Sequence, residues 1–221
     1  IDFKACTKSY HCIDCEFDQF FQDRFKVYTR VEPVHFDRIE GFSLPAGYYL
    51  ADNHVWIKLE DGGMVSLGID DFAARLLGQF DTVSAPLMGK ALKRGRPAFT
   101  LGREKNNITF MSPVSGVVTD INPHVRKNPG RITRAPYTDG WVMTVFCPGL
   151  KQDLKPLMFM DTAARFMHGA AQTLYAFLED ETGLKAADGG QLVPDIYGSL
   201  PGVSWQGLVD RFLSGVLEPG R

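Results

Sequence analysis

Two groups of residues in this chain have the type and spacing to do chemistry. The first is a cysteine cluster, Cys6, Cys12 and Cys15, in the pattern Cys-x5-Cys-x2-Cys. The short gap in Cys12-Ile13-Asp14-Cys15 lets neighbouring thiolates turn onto one ion, as in a zinc knuckle. Three thiolates are one short of a closed tetrahedral zinc site. His11, His35, Cys147, an upstream residue or a partner could supply the fourth ligand. An iron–sulfur cluster is less favoured, because only three clustered thiolates are visible. Reduced cysteines without a metal are the competing account. The second is a single lysine, Lys105, in the polar run Arg103-Glu104-Lys105-Asn106-Asn107. Its neighbours place it on a loop tip that the chain has no reason to bury.

The remaining candidates have plainer readings. Asp70 and Asp71 are adjacent carboxylates at a helix start, where capping explains them better than acid–base work does. Cys147 reads as a buried structural thiol, and His35 and His168 as surface residues. The chain has no nucleophile elbow, Walker A loop, dinucleotide glycine fingerprint or His-Glu-x-x-His. It therefore reads as non-catalytic.

The elements that must position these residues follow from pattern. Phe99 and Leu101 alternate with Thr100 and Gly102 before the polar run, and Ile108 and Phe110 with Thr109 and Met111 after it. This predicts a hairpin with Lys105 at its tip, its turn eased by Asn106-Asn107, which tolerate positive φ. Short strands are expected at 54–60, 64–68, 82–85, 117–121 and 141–146, with a short helix from Asp70 that Gly78 ends. Many short strands with Gly and Pro punctuation argue for a closed or sandwiched sheet over 48–147. Residues 1–47 comprise the cysteine segment, a helix presenting Phe17, Phe20, Phe21 and Phe25 on one face, and an extended connector. Residues 148–221 turn helical: Met160, Ala163, Ala164, Met167, Ala170, Ala171, Leu174, Phe177 and Leu178 form one amphipathic stripe. Trp205, Leu208, Val209, Phe212 and Leu213 mark a final helix.

Composition narrows the function classes. The chain has 221 residues and a net charge of −2, which leaves no electrostatic footprint for nucleic acid. No apolar run is long enough to span a bilayer, and no secretory signal is visible. Four cysteines in a chain too large to need disulfide staples suit a reducing, cytoplasmic compartment. The first residue is Ile, so the native chain could start further upstream.

Several segments share their order and spacing with one family. They are Asn53-His54-Val55-Trp56, Val65 to Ala73 (VSLGIDDFA), Ser112-Pro113-Val114-Ser115-Gly116, Asn122, Asn128-Pro129, and Ala135 to Trp141 (APYTDGW). Each is weak alone, but chance matches multiply when they stay in order over about a hundred residues. The stretch resembles the lipoyl-carrying H protein of the glycine cleavage system, in which a swinging-arm lysine stands seven residues before Ser-Pro-Val-Ser-Gly, as Lys105 does here. The resemblance covers less than half of the chain and implies a barrel-sandwich hybrid of the lipoyl-domain kind; with the cysteine-bearing N-terminal segment and the C-terminal helices, which belong to no ordinary H protein, the whole chain is expected to be α+β, mainly β. It also implies Lys105 as the lipoyl attachment position.

The hairpin departs from the family pattern, which has Glu three residues before the lysine, Val before it and a small residue after it. Here Gly102, Glu104 and Asn106 hold those places. The departures rank an unmodified scaffold or interaction module first. A lipoyl carrier of glycine-cleavage or sulfur-transfer type comes second, and a thiol or metal redox relay enzyme third. Expected cofactors are zinc on Cys6, Cys12 and Cys15, with lipoate on Lys105 behind it. Expected partners are proteins, including redox or lipoate-dependent enzymes.

Overall fold

The computed structural model describes residues 34–182 and 193–214. The chain divides into two compact units, Ile1–Val34 and His35–Arg221; the second holds the architecture described here. It opens with a hairpin, β1 (Phe36–Ile39) and β2 (Phe42–Pro45), where the sequence suggested an extended connector. Glu40 and Gly41 supply consecutive positive φ values of 49° and 87°. That is what a tight primed turn requires.

β3 (Tyr49–Leu50), β4 (Val55–Leu59) and β5 (Met64–Ile69) follow, and then a helix, α1 (Asp71–Leu77). β4 and β5 pair antiparallel with Val55 opposite Ile69 and Ile57 opposite Leu67. Trp56 points to the other face and is equally buried, so both faces of β4 are covered. Gly68 lies opposite it; a Cβ there would stand 2.6 Å from the Trp56 ring. The indole N–H donates to the carbonyl oxygens of Ile69 at 2.8 Å and Pro136 at 3.2 Å. At the start of α1 the Asp70 carboxylate accepts from the Ala73 N–H at 2.9 Å, the capping role expected of it. Gly78 closes the helix at φ 74°.

The strands β6 (Thr82–Ser84), β7 (Ala91–Leu92), β8 (Pro97–Arg103), β9 (Asn106–Met111), β10 (Gly116–Ile121), β11 (Met143–Phe146) and β12 (Met158–Phe159) complete two larger sheets. One runs β12-β3-β4-β5-β11-β10-β7 and the other β6-β8-β9. Three short helices, α2 (Pro123–Lys127), α3 (Arg131–Arg134) and α4 (Leu150–Asp153), fill the connections. Asn122 starts α2 with Pro123 at its first position, accepting from the His124 and Val125 N–H groups. This is a mainly β, lipoyl-type sandwich with helices at its C-terminal side.

α5 (Asp161–Thr182) buries Ala163, Met167, Ala171 and Leu174, the repeat read from the sequence; Met160, at the head of that repeat, is exposed. Beyond residue 192 come α6 (Ile196–Ser199) and, over the residues read as a final helix, α7 (Trp205–Leu208), which runs directly into a widened π-type turn, Val209–Leu213. The wider turn goes with burial of two consecutive side chains, Phe212 and Leu213. This C-terminal part packs on α1, burying Phe72, Ala74 and Leu76 in a helix covered all round. Among the described residues, no helix is long and apolar enough to cross a membrane.

Candidate functional site

The β8–β9 hairpin is rooted in the core and exposes the two residues of its turn. Phe99 and Phe110 stack at 5.3 Å between ring centres, and Leu101 and Ile108 are buried beside them. On the outer face the hydroxyls of Thr100 and Thr109 meet at 2.8 Å. The final pair of the ladder is Arg103 with Asn106, so the turn residues are Glu104 and Lys105. The positive φ falls on Glu104, at 55°, and not on Asn106-Asn107, both of which lie in β9. The reason is visible in the partners. Asn107 lies opposite Gly102, and a Cβ at Gly102 would run into Thr82 Oγ1 and come within 2.6 Å of Asn107 Oδ1. The Glu104 N–H donates to Asp81 Oδ2 at 2.6 Å. Lys105 is exposed at the tip, as its sequence context implied.

The base of the hairpin is closed by a dense set of bonds around the Ser-Pro-Val-Ser-Gly segment. The buried Ser112 hydroxyl donates to the Val114 carbonyl at 2.7 Å. Asn53 Nδ2 donates to the Met111 carbonyl at 3.0 Å, tying β9 to the loop before β4. The Ser115 N–H donates to Asp153 Oδ2 at 2.7 Å. These residues hold the root and leave the tip to present the lysine.

The side chains of the tip have partners that the sequence did not single out. Arg103 Nη1 donates to Asp195 Oδ1 at 2.7 Å and to the Leu77 carbonyl at 2.8 Å. The Arg103 guanidinium lies 5.2 Å from the Tyr197 ring centre, and Asn106 Nδ2 donates to the Tyr197 hydroxyl at 3.2 Å. The bond to Asp195 drives the Arg103 guanidinium still higher above its ordinary value. Asp195 lies 92 residues beyond Arg103, so no local pattern could have signalled the pair.

Other titratable groups read as structural. His54 Nδ1 lies 2.7 Å from Asp70 Oδ2, both almost wholly buried, and the imidazole stacks on Phe72 at 4.5 Å. The Tyr137 hydroxyl donates to the Ser43 carbonyl at 2.7 Å and accepts from the Asp71 N–H at 3.0 Å. Burial holds that hydroxyl well above its usual range. Burial also pushes the Cys147 thiol up to about 12, so it stays protonated and unreactive at neutral pH. His168 is mostly exposed and pairs with Glu40 at 2.9 Å.

A cleft of about 700 Å³ lies beside Tyr137, Arg75, Arg134 and Asp195. Its acids are already engaged, Asp71 with Arg75 Nε at 3.0 Å and Asp195 with Arg103. Among the described residues it presents no carboxylate free to serve as a base. Cys6, Cys12 and Cys15 lie outside the described residues. Among the described residues, no group of three or more His, Cys, Asp or Glu side chains could hold a metal ion.

The family model described as Glycine cleavage H-protein matches residues 48–169. A glycine cleavage system H protein of Opitutus terrae is 34% identical over 101 residues, covering 46% of this chain and 80% of that one. A probable glycine cleavage system H protein 3 of Sulfurisphaera tokodaii is 35% identical over 121 residues, covering 54% and 88%. An H protein of Marinobacter nauticus is 31% identical over 129 residues, covering 58% and 97%. Among solved structures, the H protein of Mycobacterium marinum superposes with a TM-score of 0.50 at 23% identity, over 57% of this chain and 99% of that one; this speaks for the fold alone. With more than half of its length matched, the chain belongs to the glycine cleavage H-protein family, whose members are carriers and not catalysts themselves.

Proposed function

We propose that the protein is a lipoyl carrier whose arm is attached to Lys105. The observation that carries this reading is the position of Lys105 on an exposed two-residue turn, at the end of a hairpin buried at its root. The fit to an acyl arm is good on the chain's own terms. The amine stands clear of the sheet, no ion pair engages it among the described residues, and the stacked Phe99–Phe110 root gives the arm a rigid pivot. A bound lipoyl group would supply a dithiolane that opens to thiols and takes up a substrate fragment. The chain's share is mechanical: it presents the lysine, excludes water from the root, and offers its surface to partner proteins in a cytoplasmic setting. The transported group is of the glycine-cleavage or the sulfur-transfer type.

The segment limits go with this reading: residues 1–47 as a cysteine-bearing lead, 48–147 as the carrier domain and 148–221 as a mainly helical extension. Zinc on Cys6, Cys12 and Cys15 is part of the proposal, resting on their spacing alone. Metal analysis of protein purified without chelator tests it, with one zinc per chain expected.

One observation favours a second reading, an unmodified scaffold. Residues Gly102, Arg103 and Asn106 around the lysine are occupied with partners inside the molecule. The intact mass of protein purified from its own host separates the two. A single lipoyl increment mapped to the Lys105 peptide is expected; its absence under lipoate-replete growth would leave the scaffold.

A further inference from the structure

The C-terminal segment reaches back to the hairpin that displays Lys105, and it does so through residues on either side of the turn. Asp195 takes Arg103, one residue before the turn, and Tyr197 takes Asn106, one residue after it. Tyr197 also lies under the Arg103 guanidinium, and its ring meets Trp205 edge-on at 5.2 Å. The pair is largely removed from water, with 14% of the Arg103 side chain and 26% of Asp195 exposed. At that burial a charge-assisted bond is worth more than a surface ion pair.

Two glycines from different elements close over this ion pair. A Cβ at Gly78, the end of α1, would run into Asp195 Oδ1 and Arg103 Nη1. A Cβ at Gly198, in α6, would run into the Asp195 carboxylate and come within 2.6 Å of Arg103 Nη2. Gly78 has a second reason to be glycine, its φ of 74°. Gly198 has no positive φ, so only the close approach of the pair accounts for the missing side chain there. Asp195 also caps α6 by accepting from the Gly198 N–H at 2.8 Å, so the short helix and the clamp form together.

We propose that Asp195 and Tyr197 form a strap that fixes the shape of the Lys105 turn, making them positioning residues for whatever reads or modifies that lysine. The strap accounts for two features of the hairpin at once. Arg103 and Asn106 are polar side chains bonded to the C-terminal segment, and Glu104 between them is left facing solvent with Lys105. A modifying enzyme that recognises the turn therefore meets a turn whose shape depends on residues about ninety positions downstream. The part of this inference that concerns modification rests on the carrier reading above. The part that concerns the shape of the turn does not.

The test uses the full chain and two readouts. The first is amide hydrogen exchange at residues 104–107, compared with exchange at Ile108 and Phe110 as an internal control. The second is the rate of lipoyl transfer to Lys105 by a lipoate–protein ligase supplied with lipoate and ATP. Asp195→Asn is expected to speed exchange at the turn roughly tenfold with the control amides unchanged, and to slow lipoyl transfer at least about fivefold. Gly198→Ala, which removes no charge and adds a good helix former, is expected to act in the same direction because its methyl group displaces the pair. Arg103→Lys should retain much of the wild-type behaviour, whereas Arg103→Gln should not. Turn amides exchanging at the wild-type rate in both Asp195→Asn and Gly198→Ala would overturn the strap, whatever Lys105 carries. Faster turn exchange with unchanged lipoyl transfer would overturn the positioning role in modification and leave the carrier reading standing. A wild-type chain that takes no lipoyl group would defeat the carrier reading, while the exchange data would still support the strap.

Discussion

The two ends of the β8–β9 hairpin are built on different principles. The base, around Phe99, Phe110 and the Ser112–Gly116 segment, is held by buried apolar contacts, by local bonds and by Asn53 and Asp153 from the surrounding domain. Ser112 bonds Val114 two residues away, and the stacked rings face each other across one ladder. The tip, from Gly102 to Asn107, is held by side chains from elsewhere: Asp81, Asp195 and Tyr197. The base is also tied to the loop before β4 and to α4, through Asn53 on Met111 and Asp153 on Ser115. The tip depends on the C-terminal segment, whose Asp195 and Tyr197 lie about ninety residues beyond it. The difference separates a part held by its own sheet and its neighbours from a part held by a distant strap.

Substitution at the base is expected to have the largest effect. Phe110 is 1% exposed and stacked on Phe99. Phe110→Ala should cost about 3–5 kcal/mol in a urea titration, the sum of lost burial and the cavity left behind. A loss below about 1 kcal/mol would mean that the hairpin root is not part of the cooperative core. Ser112→Ala is the polar counterpart. It removes the hydroxyl that serves the Val114 carbonyl at a fully buried position, at an expected cost of about 1–3 kcal/mol. Comparable loss from both variants would show that the base is held as much by satisfied polar groups as by rings.

Alkali should also distinguish core from tip. Burial raises the Tyr48 hydroxyl from 10.0 to about 12 and the Cys147 thiol from 9.0 to about 12. The unfolded chain therefore gives up these protons first. Their contribution to stability is complete below about pH 9 and is lost as pH rises toward 12. Arg103 is displaced upward, so the clamp keeps its positive charge through that window. The urea midpoint should fall steadily between about pH 9 and 11, while exchange at the turn, corrected for intrinsic base catalysis, stays constant. A midpoint that does not move would mean that the two groups are more solvated than their burial implies.

The base was legible in the sequence and much of the tip was not. Alternation over Phe99–Gly102 and Ile108–Met111 is a local property, and it marked both strands and the exposure of Lys105 between them. Trp56 could be placed in a strand and given some burial, but not the groups that cover it, because Gly68 and Pro136 lie in other segments. The turn was shifted by two residues for a related reason. Asn106-Asn107 has the stronger intrinsic turn preference, but the ladder pairs both asparagines with Arg103 and Gly102, Tyr197 in α6 takes the Asn106 amide, and Glu104 accepts the left-handed φ instead. Arg103–Asp195 spans 92 residues and joins elements whose packing no periodicity encodes. The Glu40-Gly41 turn was missed because the segment between its prolines looked like a linker, though the two positive φ values make it a hairpin.

The smallest effect on stability is expected at Lys105 itself, and that is where carrier and scaffold part most sharply. Lys105 is exposed, is one of only two residues in the turn, and makes no ion pair among the described residues. Its neighbours do the structural work: Glu104 bonds Asp81 through its backbone, Arg103 bonds Asp195, and Asn106 bonds Tyr197. Lys105→Ala should therefore change stability by no more than about 0.5 kcal/mol, as at an ordinary surface site. A larger loss would show that the aliphatic stem of the lysine packs on the strap, and the separation of display from support would collapse. If the protein is a carrier, the same silent substitution abolishes the lipoyl increment and every partner activity that depends on it, with the melting curve unchanged. If it is a scaffold, Lys105→Ala leaves partner capture intact, whereas Asp195→Asn weakens it where the partner reads the turn. Because the fold does not need the lysine, any functional loss in Lys105→Ala reports on what the lysine carries.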